Sequence, residues 1–291
     1  MPELPEVQTT VNGLNRTIRG RKIVEIKSSY KSSYYAGKDE IKNPKFFTIF
    51  KKRVLNQKIL KVERRAKNIL IHLQNGETIL VHMKMTGYFH HNPQSQVPFL
   101  RLNFTLDDGK VLAFSDLRKF AKVTVHKSHN IHESAHLKDL GPEPLENSFK
   151  LEAFSLQLIK KPQGKIKTVL MDPSVVAGIG NIYSDEILWR AGVHPLSVVR
   201  KIPKANLKLM FKAMKETLRK GIDFGGDSMS DYKNIDGEKG HFQDHHRAYR
   251  LTGRKCLKKG CSGTITRLAV GGRSAHFCNK HQRLFAQSRL I

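Results

Sequence analysis

The hydrophobic period of this chain shifts from strand-like to helical near its middle, and that shift limits what it can fold into. Short apolar runs at residues 22–26, 69–73, 78–83 and 110–114 read as strands, with Asn75-Gly76 and Asp108-Gly109 as turns. The texture stays β-rich to about residue 126. A polar, histidine-bearing stretch (127–136) and then Leu140-Gly141-Pro142-Glu143-Pro144-Leu145 mark a boundary. Beyond it the spacing turns helical: Leu207, Met210, Phe211, Met214 and Leu218 line one face, and Gly221 is expected to close that helix. One helix precedes the strands, with Val7, Val11, Leu14 and Ile18 on its buried face and Gly20 at its end. The pattern reads as an α+β chain.

At 291 residues the chain is long enough for two domains with their own cores. Fifty-two Lys and Arg stand against 25 Asp and Glu, a formal charge of +27 spread along the whole length. Such a balance points to a polyanion, nucleic acid before a membrane surface, with affinity that falls steeply with salt. No apolar run of about 18 residues is present, and the acidic, proline-bearing start does not read as a signal peptide. The three cysteines all lie at or beyond Cys256 and make no disulfide framework, which suits a reducing compartment.

Cys256-x4-Cys261 and Cys278-x2-His281 are two close pairs separated by a short hairpin. Three thiolates and one imidazole brought to a point suit one tetrahedral, structural zinc ion. A segment this short has little core, so metal would supply much of its folding energy. Chance proximity is the plain alternative; the paired spacing favours metal.

The chain opens Met1-Pro2-Glu3-Leu4-Pro5-Glu6-Val7. Methionine trimming before a small residue would free the secondary amine of Pro2. An α-amino group titrates near ~8, so part of it is unprotonated at neutral pH. Such an amine can attack a carbon of carbonyl character and form an imine, with Glu3 beside it to move protons. On these residues alone, an early proline and two helix-capping glutamates explain the segment as well.

Other groups suit phosphate. Gly271-Gly272-Arg273 allows a tight turn that presents one arginine. Ala177-Gly178-Ile179-Gly180-Asn181 leads into a helical pattern whose N-terminus favours an anion, with Lys165 and Lys167 nearby. Arg64-Arg65-Ala66-Lys67 and His82-Met83-Lys84-Met85 are cationic groups at strand ends. Asp116-Leu117-Arg118-Lys119-Phe120 reads as an extended segment with Arg118 and Phe120 on one side, an arginine and a wedge suited to a base stack. Each has a bland reading as well: a glycine turn, a solvated face or a core methionine.

In this order and spacing the segments resemble the formamidopyrimidine-DNA glycosylase family, related to endonuclease VIII. The resemblance runs over essentially the whole chain, most specifically at residues 1–7, 140–145, 170–172, 177–183, 185–188, 191–195 and 225–232. It implies an N-terminal helix and β-sandwich (1–128), a linker (129–145), a helix–two-turn–helix domain with a lesion-recognition loop (146–250) and a zinc hairpin (251–291). DNA would bind in the cleft between domains. The resemblance further implies that Pro2 attacks C1′ of a damaged nucleotide, that Glu3 handles protons, and that Glu6 orders the N-terminus. Lys67 and Arg273 would serve the lesion's phosphates and the elimination steps. His82, Lys167, Asn181 and Tyr249 would hold neighbouring phosphates. Met85 and Phe120 would fill the gap left by the extruded nucleotide, and Arg118 would meet the orphaned base.

The partner so implied is double-stranded DNA with oxidised bases or abasic sites, met by a monomer in a bacterial-type cytoplasm, at the nucleoid, with no organic cofactor. Leu4 and the 225–232 loop favour oxidised purines over the pyrimidines of endonuclease VIII relatives. A catalytically silent, zinc-containing DNA-binding protein is the alternative from another class. The chain departs from the family in three places. Its first cysteine gap is four residues and His281 stands for a fourth cysteine. Phe99-Leu100-Arg101 replaces a usual His-Asp-His, so one phosphate contact would be lost or taken over by Arg101. Asp227 and Ser228 stand where threonines are common.

Overall fold

Leu4, Val7, Val11, Leu14 and Ile18 form one apolar stripe, and the computed structural model folds them into α1 (Leu4–Ile18) with that stripe buried. The structure describes residues 1–30, 33–229 and 232–286. Glu3 is the N-cap of α1, Pro5 lies in its first turn, and Gly20 turns the chain at φ +84°.

Two four-stranded antiparallel sheets follow. One has β1 (Ile23–Ser28), β6 (Leu100–Leu106), β7 (Val111–Asp116) and β5 (Gly87–His91) in that order. The other has β2 (Ile59–Arg65), β3 (Asn68–Leu73), β4 (Glu77–His82) and β8 (Lys122–Lys127). Ile26, Phe104 and Phe114 of the first share one buried cluster with Ile69, Ile79 and Val123 of the second, as in a β-sandwich. Gly76 and Gly109, at φ +75° and +78°, close the two expected hairpin turns.

A second helix interrupts the β-rich stretch, where the sequence reading expected strands alone. It is α2 (Pro44–Val54), started by Asn43, whose side chain accepts the Lys45 amide. Phe46, Phe50 and Val54 recur at helical spacing and are buried.

The remaining elements are α3 (Leu151–Ile159), α4 (Ile166–Leu170), α5 (Asn181–Ala191), α6 (Lys204–Asp223) and a hairpin of β9 (Ile265–Val270) with β10 (Arg273–Cys278). Gly221 does not close α6; it is buried inside the last turn, and the helix runs on to Asp223. α5 packs against both α6 and β10.

The chain forms two compact units. The first is Met1–Lys138 with Phe224–His241; the second is Asp139–Asp223 with the chain from Phe242 onward. Residues 224–241, expected with the helices, thus group with the sandwich, where Ile235 enters the core. The metal-ligand hairpin groups with the helices. No helix among the described residues is long and apolar enough to cross a membrane.

Candidate active site and nucleic-acid interface

The two glutamates of the opening segment do cap α1, and one of them does more. Glu6 Oε2 accepts the Glu3 amide at 2.7 Å, while Glu6 Oε1 accepts the Asp227 amide at 2.8 Å. Both glutamates are nearly inaccessible, and Pro2 is buried beside them in sequence. The Glu6 carbonyl accepts from Thr10 Oγ1 and Tyr232 Oη, each at 2.9 Å. One carboxylate therefore fixes the start of α1 to the 225–229 loop. Gly226 is needed there: its φ is +88°, and a Cβ would lie 3.0 Å from Glu6 Cγ. The Asp227 amide, within the expected recognition loop, is thereby engaged by Glu6. Ser230 and Asp231 of the expected recognition loop lie outside the described residues.

Five predicted residues gather at one end of the sandwich. Lys67 follows Ala66 (φ +53°) in the β2–β3 turn, and His82 ends β4. Met85 follows Lys84 (φ +53°), and Phe120 follows Lys119 (φ +55°) just before β8. Residues 117–120 are therefore a tight turn and not the expected extended segment. Met85 and Phe120 are 43% and 48% exposed. The Arg118 guanidinium lies 4.6 Å from the Phe120 ring centroid and its Nη1 donates to Met85 Sδ at 3.0 Å. The arginine and both wedges so make one finger.

A buried carboxylate supports it. Asp116, fully buried, accepts from Thr86 Oγ1 at 2.7 Å, from the Ala121 amide at 2.8 Å and from Tyr30 Oη at 3.0 Å. Thr86 Oγ1 in turn accepts the Arg118 amide at 3.0 Å. Arg101, expected at a phosphate, donates its Nε to the Asp116 carbonyl at 3.0 Å, so it braces the finger. Phe99 beside it is exposed at φ +54°.

In the second unit Lys167 departs from its expected role. Its side chain is wholly buried, with Nζ 2.6 Å from Asp185 Oδ1 and 3.2 Å from Ser184 Oγ. An ammonium held this way supports the first turn of α5 from inside instead of reaching outward to a phosphate. Asp185 Oδ2 accepts the His276 amide and meets its Nδ1, both at 2.9 Å, which ties α5 to β10. Asn181 opens α5 after Gly180, its Oδ1 buried with no hydrogen-bond partner. Glu186 accepts the amides of Arg247, Ala248 and Tyr249 at 2.9–3.0 Å, and burial pushes its carboxyl up against their pull. That carboxylate positions Tyr249, whose ring meets His276 edge-on at 5.1 Å. Arg273 is exposed at the hairpin tip, after Gly271 and Gly272 at φ +56° and +73°.

The ligand atoms of Cys256, Cys261, Cys278 and His281 all lie within 4.8 Å of one another, a cluster that could hold a metal ion. His281 Nε2 lies 3.0 Å from the Trp189 carbonyl, which fixes the proton there and leaves the Nδ1 lone pair toward the sulfurs. Cys256 Sγ is 3.2 Å from that Nδ1. The amides of Gly263 and Lys280 donate to Cys261 Sγ and Cys278 Sγ at 3.3 and 3.4 Å, as suits thiolates. The donor set, its tautomer and its amide support all fit.

Sequence reasoning missed Thr86, Tyr30, Asp185, His276 and the supporting role of Asp116. One signal was available: Asp185 and Glu186 are two carboxylates amid the apolar residues of a helix, which calls for buried partners.

Comparison with known proteins agrees along nearly the full length. Residues 1–123 match the formamidopyrimidine-DNA glycosylase N-terminal domain, and residues 140–233 match the formamidopyrimidine-DNA glycosylase H2TH domain. A formamidopyrimidine-DNA glycosylase of Herpetosiphon aurantiacus is 36% identical over 282 residues, 96% of this chain and 98% of that protein. One from Streptococcus pneumoniae is 34% identical over 285 residues, 97% and 99% of the two chains. The Lactococcus lactis Fpg solved with abasic-site DNA superposes with a TM-score of 0.85 at 29% identity, covering 97% of this chain and 99% of that one.

Proposed function

The chain belongs to the formamidopyrimidine-DNA glycosylase family, and from that premise we propose that it excises oxidised purines from duplex DNA and cuts the resulting abasic strand. The substrates are 8-oxoguanine and formamidopyrimidines. The observation that carries this reading is the Glu6 carboxylate bound to both Glu3 and Asp227, which orders a start that binding alone does not need.

With Met1 removed, the unprotonated Pro2 nitrogen attacks C1′ of the damaged nucleotide and the base leaves with a proton. Loss of the Pro2 proton and opening of the sugar, whose ring oxygen takes up a proton, give an iminium ion, with Glu3 shuttling protons. The iminium makes the C2′ proton acidic. Its removal expels the 3′ phosphate by β-elimination, and δ-elimination then expels the 5′ phosphate. Lys67 and Arg273 bind phosphates of the reacting nucleotide. His82, Asn181 and Tyr249 hold neighbours, and Lys167 acts through the N-terminus of α5. The Met85–Arg118–Phe120 finger enters the stack as the lesion leaves it, with Arg118 donating to the orphaned base.

Cys256, Cys261, Cys278 and His281 hold one structural zinc ion, which supplies folding energy to the hairpin that presents Arg273. The protein acts as a monomer on chromosomal DNA in a bacterial cytoplasm. Steady-state excision from duplexes carrying 8-oxoguanine opposite cytosine, beside thymine glycol, tests the substrate class. The purine lesion is expected to be strongly preferred; a marked preference for thymine glycol would overturn the assignment.

A further inference from the structure

Arg65, Asn68, His82 and Lys122 stand in one register row across β2, β3, β4 and β8. His82 and Lys122 are direct cross-strand partners, so their side chains leave the same face of the sheet about 5 Å apart at Cβ. Lys84, two residues on, donates its backbone amide to His82 Nδ1 at 3.0 Å. That bond puts the imidazole proton on Nε2, where it can be donated onward.

The surroundings are cationic. Burial, and after it the charges of Lys84, Lys67, His136 and Lys122, push His82 down to about 3, so it is a neutral donor. Burial, then Lys122, His126 and Lys84, lower His136 in the same way. Among the described residues neither Lys84 nor Lys122 has a carboxylate within ion-pair distance. Like charges so gathered repel one another, and an anion relieves them. Lys84 also holds a left-handed backbone at φ +53°, where glycine would be at ease and lysine is strained.

We propose that Lys84 and Lys122 join Lys67 and His82 in one phosphate-oxyanion site at this end of the sheet. The inference rests on the glycosylase reading and deepens it by adding two residues to the DNA contacts. Compact ammonium groups and a neutral imidazole N–H suit phosphate oxygens. Two sources share that chemistry: an internal phosphodiester of the intact strand, and the terminal phosphate monoester that β,δ-elimination leaves on the product.

The test is equilibrium binding of the full-length, metal-loaded protein across a salt series. One duplex carries an uncleavable abasic analogue; the second is already gapped, with terminal phosphates. The variants are Lys84→Gln, Lys122→Gln, Lys84→Gly and, as a control, Lys27→Gln on β1. Loss of one contact lowers the slope of log K against log salt by about 0.9. Both Gln variants should show that loss on one or both duplexes, and K27Q on neither. A loss on both duplexes assigns the site to a diester; a loss on the gapped duplex alone assigns it to the product monoester. K84G relieves the backbone, so it should melt no lower than the wild type and still lose the slope. Unchanged slopes and affinities in K84Q and K122Q on both duplexes would overturn the site. Failure of the wild type to form a borohydride-trapped adduct would instead overturn the glycosylase reading.

Discussion

The carboxylate of Asp116 accepts the backbone amide of Ala121 at 2.8 Å and so ties together the two ends of the turn that carries Arg118 and Phe120. Thr86, next to Met85, bonds to the same carboxylate and to the Arg118 amide, so both halves of the finger hang from one buried group. Thr86→Val keeps the shape and strands the Arg118 amide, at a cost of about 1–3 kcal/mol. Single-turnover excision of 8-oxoguanine should fall roughly tenfold, the equivalent of about 1.4 kcal/mol in the barrier. Cleavage of a ready-made abasic site should fall less, since less must be extruded. Equal losses on both substrates would remove Thr86 from this role.

Gly226 meets Glu6 where no side chain fits. Gly226→Ala forces a left-handed alanine against Glu6 Cγ and should destabilise the first unit by about 1–3 kcal/mol. Denaturant unfolding reads the loss directly. Glu6→Gln keeps one acceptor oxygen for the two amides and should lower excision with a smaller change in stability. A G226A protein as stable and as active as the wild type would contradict the Glu6–loop linkage.

Much of this architecture was legible because local periodicity carries it. α1 carries an apolar stripe at helical spacing from Leu4 to Ile18, and β3 is a short apolar run buried at nearly every position. α2 was missed because its Phe46, Phe50 and Val54 stripe lies among lysines in a strand-like neighbourhood, although Asn43-Pro44 was a readable start. The spacing of the four metal ligands marks that cluster in the sequence itself. What stayed hidden depends on partners far apart in sequence. Lys167 reads as a phosphate-binding group until Asp185 is known to face it. Asp116 acquires its role only once Tyr30 and Thr86 are folded against it. The grouping of 224–241 with the sandwich follows from Ile235 and from the Asp227 amide, neither of which shows a period.

His82 supplies a pH dependence with a defined sign. Its folded pKa lies at about 3 and its ordinary value near 6.5, so the unfolded chain binds the extra proton between those limits. The associated stability is complete above about pH 6.5 and is lost as pH falls toward 3. Between pH 7.5 and 5.0 the wild type should lose about 2 kcal/mol more than His82→Gln, in matched denaturant titrations. Equal losses would mean that His82 titrates normally.

The hairpin should carry one zinc ion per chain, measurable by elemental analysis of protein purified without chelator. Removal of the metal, or His281→Ala, should expose the Cys256, Cys261 and Cys278 thiols to alkylation and weaken DNA binding. The sandwich unit should unfold as before. A chain with no stoichiometric metal and the same DNA affinity would contradict the structural role of the cluster.

The central claim is that Pro2 is the nucleophile. Untagged protein, shown by N-terminal sequencing to lack Met1, is mixed with borohydride and a duplex carrying 8-oxoguanine opposite cytosine, beside Pro2→Gly. The account predicts a stable covalent adduct that mass spectrometry locates on Pro2, one per chain. An adduct at a lysine with Pro2 unmodified, or no adduct even on abasic DNA, would contradict it.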